Sequence, residues 1–199
     1  MRAFGLSEIP DYKPRYNIAP HSQVLIVRAN GAALVRWGLI PRWIKEPSKT
    51  LKLHNARAET VALKPSFRDA YRKRRCLVPA NGFFEWKAES GRKQPYYIYP
   101  PGKDLFAFAG LWEVWSGPQG QVESCTIITT DANARMRMVE DRMPAILAPE
   151  DYSSWLAGAE RGQELLRPCP DSEIEIRKVS RAVNDARMDS AELIEPDDR

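Results

Sequence analysis

Seven apolar runs limit what this chain can fold into. They are QVLIVRA (23–29), ALVRWGLI (33–40), CLVPANGFFEWK (76–87), PYYIYP (95–100), LFAFAGLWEVW (105–115), ESCTIITT (123–130) and SEIEIRKV (172–179). Each is rich in β-branched and aromatic residues, and Gly and Pro stand between them, as at ESGRKQP and SGPQGQ. The spacing is that of antiparallel hairpins rather than of strands alternating with crossover helices. Three helices are predicted around them: FRDAYRKRR after Pro65–Ser66, DANARMRMV (131–139), and PEDYSSWL from Pro149, where proline and acids mark a helix start. In FRDAYRKRR, Phe67, Ala70 and Tyr71 fit one apolar face and the charges fit a solvated one. The expected class is α+β, a curled, largely antiparallel, barrel-like sheet with peripheral helices.

At 199 residues with 43% hydrophobic side chains, the chain suits a single domain over 1–199 with a real core. No run reaches the length of a membrane span. The opening MRAFGLSEIPDYKPRYN lacks the apolar stretch of a secretory signal. A cytoplasmic, monomeric protein is expected. Cys76, Cys125 and Cys169 are odd in number and widely spaced, which suits neither a disulfide framework nor a zinc site. There are only two histidines, His21 and His54, and no nucleotide-loop or metallopeptidase signature. Neither a metal nor a cofactor is expected.

Charge is divided unevenly. Residues 1–99 hold 19 Lys+Arg against 7 Asp+Glu, and residues 100–199 hold 11 against 19, for a total of +4. The basic half also carries Trp37, Trp43 and Trp86 among its cations. Rings interleaved with cations suit single-stranded nucleic acid. Pairing of the two halves' charges with each other is the alternative.

Glu85 sits inside NGFFEWK, between Phe83, Phe84 and Trp86. If those rings pack, the acid is desolvated and its pKa rises, as in an acid/base group. An ion pair with Arg57 or Arg142 would lower it instead.

Six stretches carry a more specific signal: RYNIAP (15–20), WGLIPRW (37–43), NARAET (55–60), CLVPANGFFEWK (76–87), DRMPAIL (141–147) and VSRAVNDARMDSAELIEP (179–196). In this order and spacing they resemble the SRAP family, the SOS-response-associated peptidases or abasic-site processing proteins. The resemblance runs from about Phe4 to Pro196. It implies a curled sheet with a positively charged groove that binds abasic sites in single-stranded DNA. It also implies an enzyme, bearing a peptidase name and lyase-like in its cross-linking. An N-terminal cysteine, exposed by loss of the initiator Met, captures the ring-opened sugar first as a Schiff base and then as a thiazolidine.

Carried over residue by residue, the resemblance makes Asn55 the amide that positions the amine and Glu85 the proton shuttle. Arg57, Thr130 and Arg142 become phosphate contacts. Trp37, Trp43 and Trp86 become rings at the lesion, and Asn17 and Pro20 shape the loop beside them. Core packing for Trp37 and Trp43, an Asx turn before a helix at residues 58–62 for Asn55, and a buried ion pair with Asp141 or Glu85 for Arg142 remain open.

Two positions depart from the family pattern. Arg2 stands where the resemblance calls for the nucleophilic cysteine, so the chain is expected to start downstream of the family's first strand. Cys76 has no free amine to replace it. Glu140 stands where the family has histidine in the motif that reads EDRMP here. A carboxylate is normally anionic at neutral pH, whereas histidine takes either state, so the release chemistry is expected to be altered. A non-covalent binder of single-stranded or damaged DNA is the alternative. A peptidase ranks below both, since no Ser or Cys pairs recognisably with His.

Overall fold

The structure is a computed structural model that describes residues 4–6, 8, 10–47, 52–118, 120–158 and 160–197. The first hairpin joins β1 (Gln23–Arg28) to β2 (Gly31–Trp37) in antiparallel register. A short strand β3 (Asn55–Arg57) follows, then helix α1 (Arg68–Lys73) and β4 (Arg75–Ala80). β5 (Phe83–Glu89) and β6 (Arg92–Tyr99) form the second hairpin, and β7 (Phe106–Gly117) and β8 (Gly120–Asp131) the third. β9 (Arg142–Pro144), α2 (Tyr152–Leu156) and β10 (Glu175–Lys178) complete the order.

β2, β1, β4, β7 and β8 form a ring. The closing β2–β8 seam is parallel, and the other four pairings are antiparallel. β3 and β9 attach to β8, and β10, β6 and β5 make a separate three-stranded sheet. Closure removes exposed edges from the ring. It also explains why β7 reads FAFAGLW without alternation. Ala107, Ala109 and Leu111 pack toward α1 and α2, while Phe106 and Phe108 pack toward the second sheet. A strand buried on both faces has no reason to alternate. Gly110 lets the strands crowd, since a Cβ there would lie 2.9 Å from Val78 and 3.0 Å from the Cys76 sulfur.

The structure departs from the sequence expectations at several points. The run 76–87 is two strands, broken at Asn81–Gly82. A Cβ on Gly82 would lie 2.4 Å from the Tyr97 ring, so the corner demands glycine. The helix expected over 131–139 is reduced to a 3-10 turn at Met136–Met138. Asn133 diverts the backbone there: its Oδ1 accepts from Met136 N while its Nδ2 donates to Cys169 O. Such local side-chain bonds compete with a helix. Residues 58–62 form turns rather than a helix. In the last run, Asp171–Glu173 is a 3-10 turn and only Glu175–Lys178 is strand.

Other expectations hold. Phe67, Ala70 and Tyr71 are buried beneath α1. PEDYSSWL starts with a 3-10 turn and continues as α2, whose Trp155 donates its indole N–H to Cys76 O of β4. The β5–β6 hairpin turns on Ser90 and Gly91, both at positive φ, as its two-residue loop requires.

Candidate functional site

A groove of about 1030 Å³ opens between one end of the ring and the second sheet. β5 supplies its acid. Phe83 packs against Phe106 and Phe108, with ring centroids at 6.2 and 5.7 Å, and this pulls the barrel-facing side of β5 inward. Glu85, two residues on, shares that face. It lines the groove half-buried. Burial, then the nearby charge of Glu140, pushes its carboxyl from the ordinary 4.5 up to about 7, against the opposing effects of the Trp86 backbone N–H and Lys93. Glu85 makes no ion pair with Arg57 or Arg142 among the described residues. An acid poised near neutrality can both accept and donate a proton at physiological pH.

Facing it is β3, whose burial alternates: Asn55 and Arg57 are exposed and line the groove, while Ala56 is in the core. The strand is held by parallel pairing to β8, so Asn55 opens no helix. The Arg57 side chain makes no hydrogen bond or ion pair among the described residues, and its charge acts on the nearby Glu59.

Arg142 lines the groove but is engaged. It forms a two-pronged pair with Glu59 at 2.8 and 3.2 Å, meets Asp131 at 3.0 Å and donates to Thr129 O. Its partners are therefore neither Asp141 nor Glu85. The pairing holds the Glu59 carboxyl below its usual range.

Trp37 and Trp86 both line the groove, each with its indole N–H committed, to His54 O and to Asn184 Oδ1 respectively. Pro20 is exposed on the rim. Asn17 is buried, and its Nδ2 donates to the carbonyls of Val183, Asp185 and Met188. Its amide therefore straps the C-terminal segment across the groove.

Three expected site residues lie elsewhere. Thr130 is 5% exposed and donates its hydroxyl to Leu166 O, so it is a core residue. Trp43 is 60% exposed and does not line the groove. Glu140 is exposed outside the lining and accepts from Asp141 N, reaching Glu85 through its charge. Arg2 lies outside the described residues. All three cysteines are buried, with thiols raised by burial, Cys125 and Cys169 to about 12. Among the described residues, no three of His, Cys, Asp and Glu gather as a metal would require, and no helix is long and apolar enough to cross a membrane.

The reading of single residues missed His54, Asn184, Asp189 and Glu59. Asp189 accepts from the backbone N–H groups of Tyr16 and Asn17 and pairs with Arg15. Its signal was there, since both partners lie in motifs, but nothing local says that residues 172 or more positions apart will meet. The uneven charge is partly settled by pairing between the halves: Arg15–Asp189, Arg28–Glu123 and Arg74–Glu113 all cross.

Fold and site together define a barrel-centred protein with an arginine-lined groove that holds a partly desolvated acid. The chain belongs to the SOS response associated peptidase (SRAP) family, whose model matches residues 2–186. It is 42% identical over 195 residues to the abasic site processing protein YoqW of Bacillus subtilis, covering 93% of this chain and 87% of that one. It is 36% identical to the abasic site processing protein HMCES of Gallus gallus, covering 93% of this chain and 67% of the relative. A crystal structure of a protein from Bacteroides thetaiotaomicron superposes with a TM-score of 0.81 at 30% identity, over 89% of this chain and 82% of that one.

Proposed function

We propose that this protein acts in the DNA damage response by binding single-stranded DNA at abasic sites, with the lesion seated in the groove between Asn55 and Glu85. The observation that carries the reading is the pairing of a raised acid with a solvent-facing amide and an unpartnered Arg57 in one groove. An abasic sugar interconverts between closed and ring-opened aldehyde forms, and each conversion moves a proton. Glu85, near half-protonation at neutral pH, suits that transfer. Asn55 both donates and accepts, which suits holding a sugar oxygen beside an amine. Arg57 offers a cation to the flanking phosphate. Trp37 and Trp86 fill the space a lost base leaves. The names of the relatives at 42% and 36% identity agree with this reading, and a role on cellular DNA suits a cytoplasmic protein.

The covalent step implied by the family resemblance joins the aldehyde carbon to the α-amine of a terminal cysteine, with loss of water. The thiol then adds to the imine carbon and closes the thiazolidine. Cys76, Cys125 and Cys169 are buried and poorly ionised, so none of them serves as that nucleophile. This favours a second reading for the sequence given: recognition and proton transfer without capture.

The test is to mix the protein with a single strand carrying one abasic site, without reductant, and run native and denaturing gels. A shift on the native gel with no denaturation-resistant band is expected. A resistant band overturns the non-covalent form. No shift overturns lesion binding itself.

A further inference from the structure

Beside one end of the groove lies charge that the lesion chemistry above does not use. His54 precedes Asn55 and lines the groove beside Trp37, with ring centroids 6.1 Å apart and edge-on. Its backbone is fixed, since its carbonyl accepts from both Trp37 Nε1 and Ile127 N. Its ring is not: Nδ1 is enclosed without a hydrogen-bond partner among the described residues. No protein acceptor therefore fixes its tautomer.

Around it the cations lack acids. Lys52 lies two residues before it on its own segment, and His21 acts on it from the loop before β1. Arg36 of β2 donates to Gly38 O and, across 2.6 Å, to His21 Nδ1. That bond makes Nδ1 of His21 the acceptor, which leaves Nε2–H as the donor His21 can offer. Arg36 has no carboxylate partner among the described residues. Arg57 is the next charged residue along β3, and Ile127 of β8 adds no charge. Burial, then His21 and Lys52, lowers the His54 pKa, and no carboxylate opposes them. Two cations, Arg36 and Lys52, standing beside the two histidines with no carboxylate partner among the described residues, are arranged for an anion from outside.

We propose that His54, which lines the Trp37 end of the groove, and His21, Arg36 and Lys52 beside that end form a subsite that takes a backbone phosphate of the bound strand, with His54 gaining a proton from solvent as the phosphate seats. This rests on the single-strand reading above. The phosphate supplies the negative charge that the protein withholds, so His54 is neutral in the free protein and protonated in the complex. Binding then tightens as pH falls.

Glu85 titrates in the same groove, and its neutralisation also favours a polyanion, so the test is made in a Glu85→Gln background. Affinity for an unmodified single-stranded DNA is measured at about pH 8 and about pH 6 at fixed ionic strength, and the imidazole signals of the two histidines are followed by NMR with and without the strand. The expected result is tighter binding at the lower pH, by up to roughly tenfold per unit of His54 shift. The His54 titration is expected to move upward on binding, and the pH dependence to flatten in His54→Asn. Inorganic phosphate alone, at the same ionic strength, is expected to leave His54 unmoved. An equal shift with free phosphate overturns the assignment to a strand. Binding that persists with an unmoved His54, or with pH dependence intact in His54→Asn, overturns the subsite alone. Absence of single-strand binding at both pH values removes the subsite and the groove reading together.

Discussion

Trp86 donates its indole N–H to Oδ1 of Asn184 across 2.7 Å. The two are 98 positions apart, and the bond ties the strand that carries Glu85 to the C-terminal segment. Asn17 holds the same segment through the carbonyls of residues 183, 185 and 188. The placement of the acid therefore depends on contacts made from both ends of the chain.

Asn17→Ala tests that strap. It leaves three carbonyls without their donor, a loss of about 1–3 kcal/mol. The expected result is a lower unfolding midpoint together with faster amide exchange at residues 183–189, while exchange in β7 and β8 keeps its wild-type order. Unchanged exchange at 183–189 would show that Asn17 does not hold the segment.

Glu85 makes stability depend on pH with a definite sign. Its folded pKa of about 7 exceeds the ordinary 4.5, so the folded state binds this proton more tightly than the unfolded state. The contribution is fully present below about pH 4.5 and is lost as pH rises through about 7. A Glu85→Gln protein lacks this loss and is expected to be the more stable of the two at pH 8, by up to about 3 kcal/mol. Denaturant titrations of both proteins at pH 5 and pH 8 check it. A wild type whose deficit does not grow with pH contradicts a raised Glu85.

Arg142 already has two carboxylate partners, so it reaches a phosphate only in competition with Glu59 and Asp131. Neutralising the exposed Glu59 removes the two-pronged partner and leaves Asp131 as the one carboxylate competing for it. Glu59→Gln is expected to tighten single-strand binding several-fold at low salt, and Arg142→Ala to weaken it and reduce the salt slope by about one. Tighter binding by Arg142→Ala would show that the network repels the strand outright.

Much of the site was legible where chemistry and local pattern coincide. Glu85 inside an aromatic run reads as a desolvated acid because neighbours in a strand must pack somewhere. Asn55 and Arg57 read as sharing a face because β alternation is short-range. The ring closure was less legible, since a parallel β2–β8 seam pairs Trp37 with Cys125, and no local signal sets that register. Thr130 was misplaced for a related reason: near the end of β8 burial alternates, with Thr129 and Asp131 on the open side and Thr130 in the core, and nothing local says which face is which. The helix over 131–139 failed on one residue, Asn133, whose amide is bound to the distant Cys169 carbonyl. Asn17 looked like a loop former because its three acceptors lie at the other end of the chain.

The most direct measurement is the affinity of matched single strands, with and without one abasic site, for the wild-type protein and for Asn55→Ala. The groove reading predicts tighter binding of the lesion strand by wild type, and loss of that preference in Asn55→Ala with binding to the intact strand retained. Equal affinity of wild type for the two strands, or a preference that survives in Asn55→Ala, would contradict it.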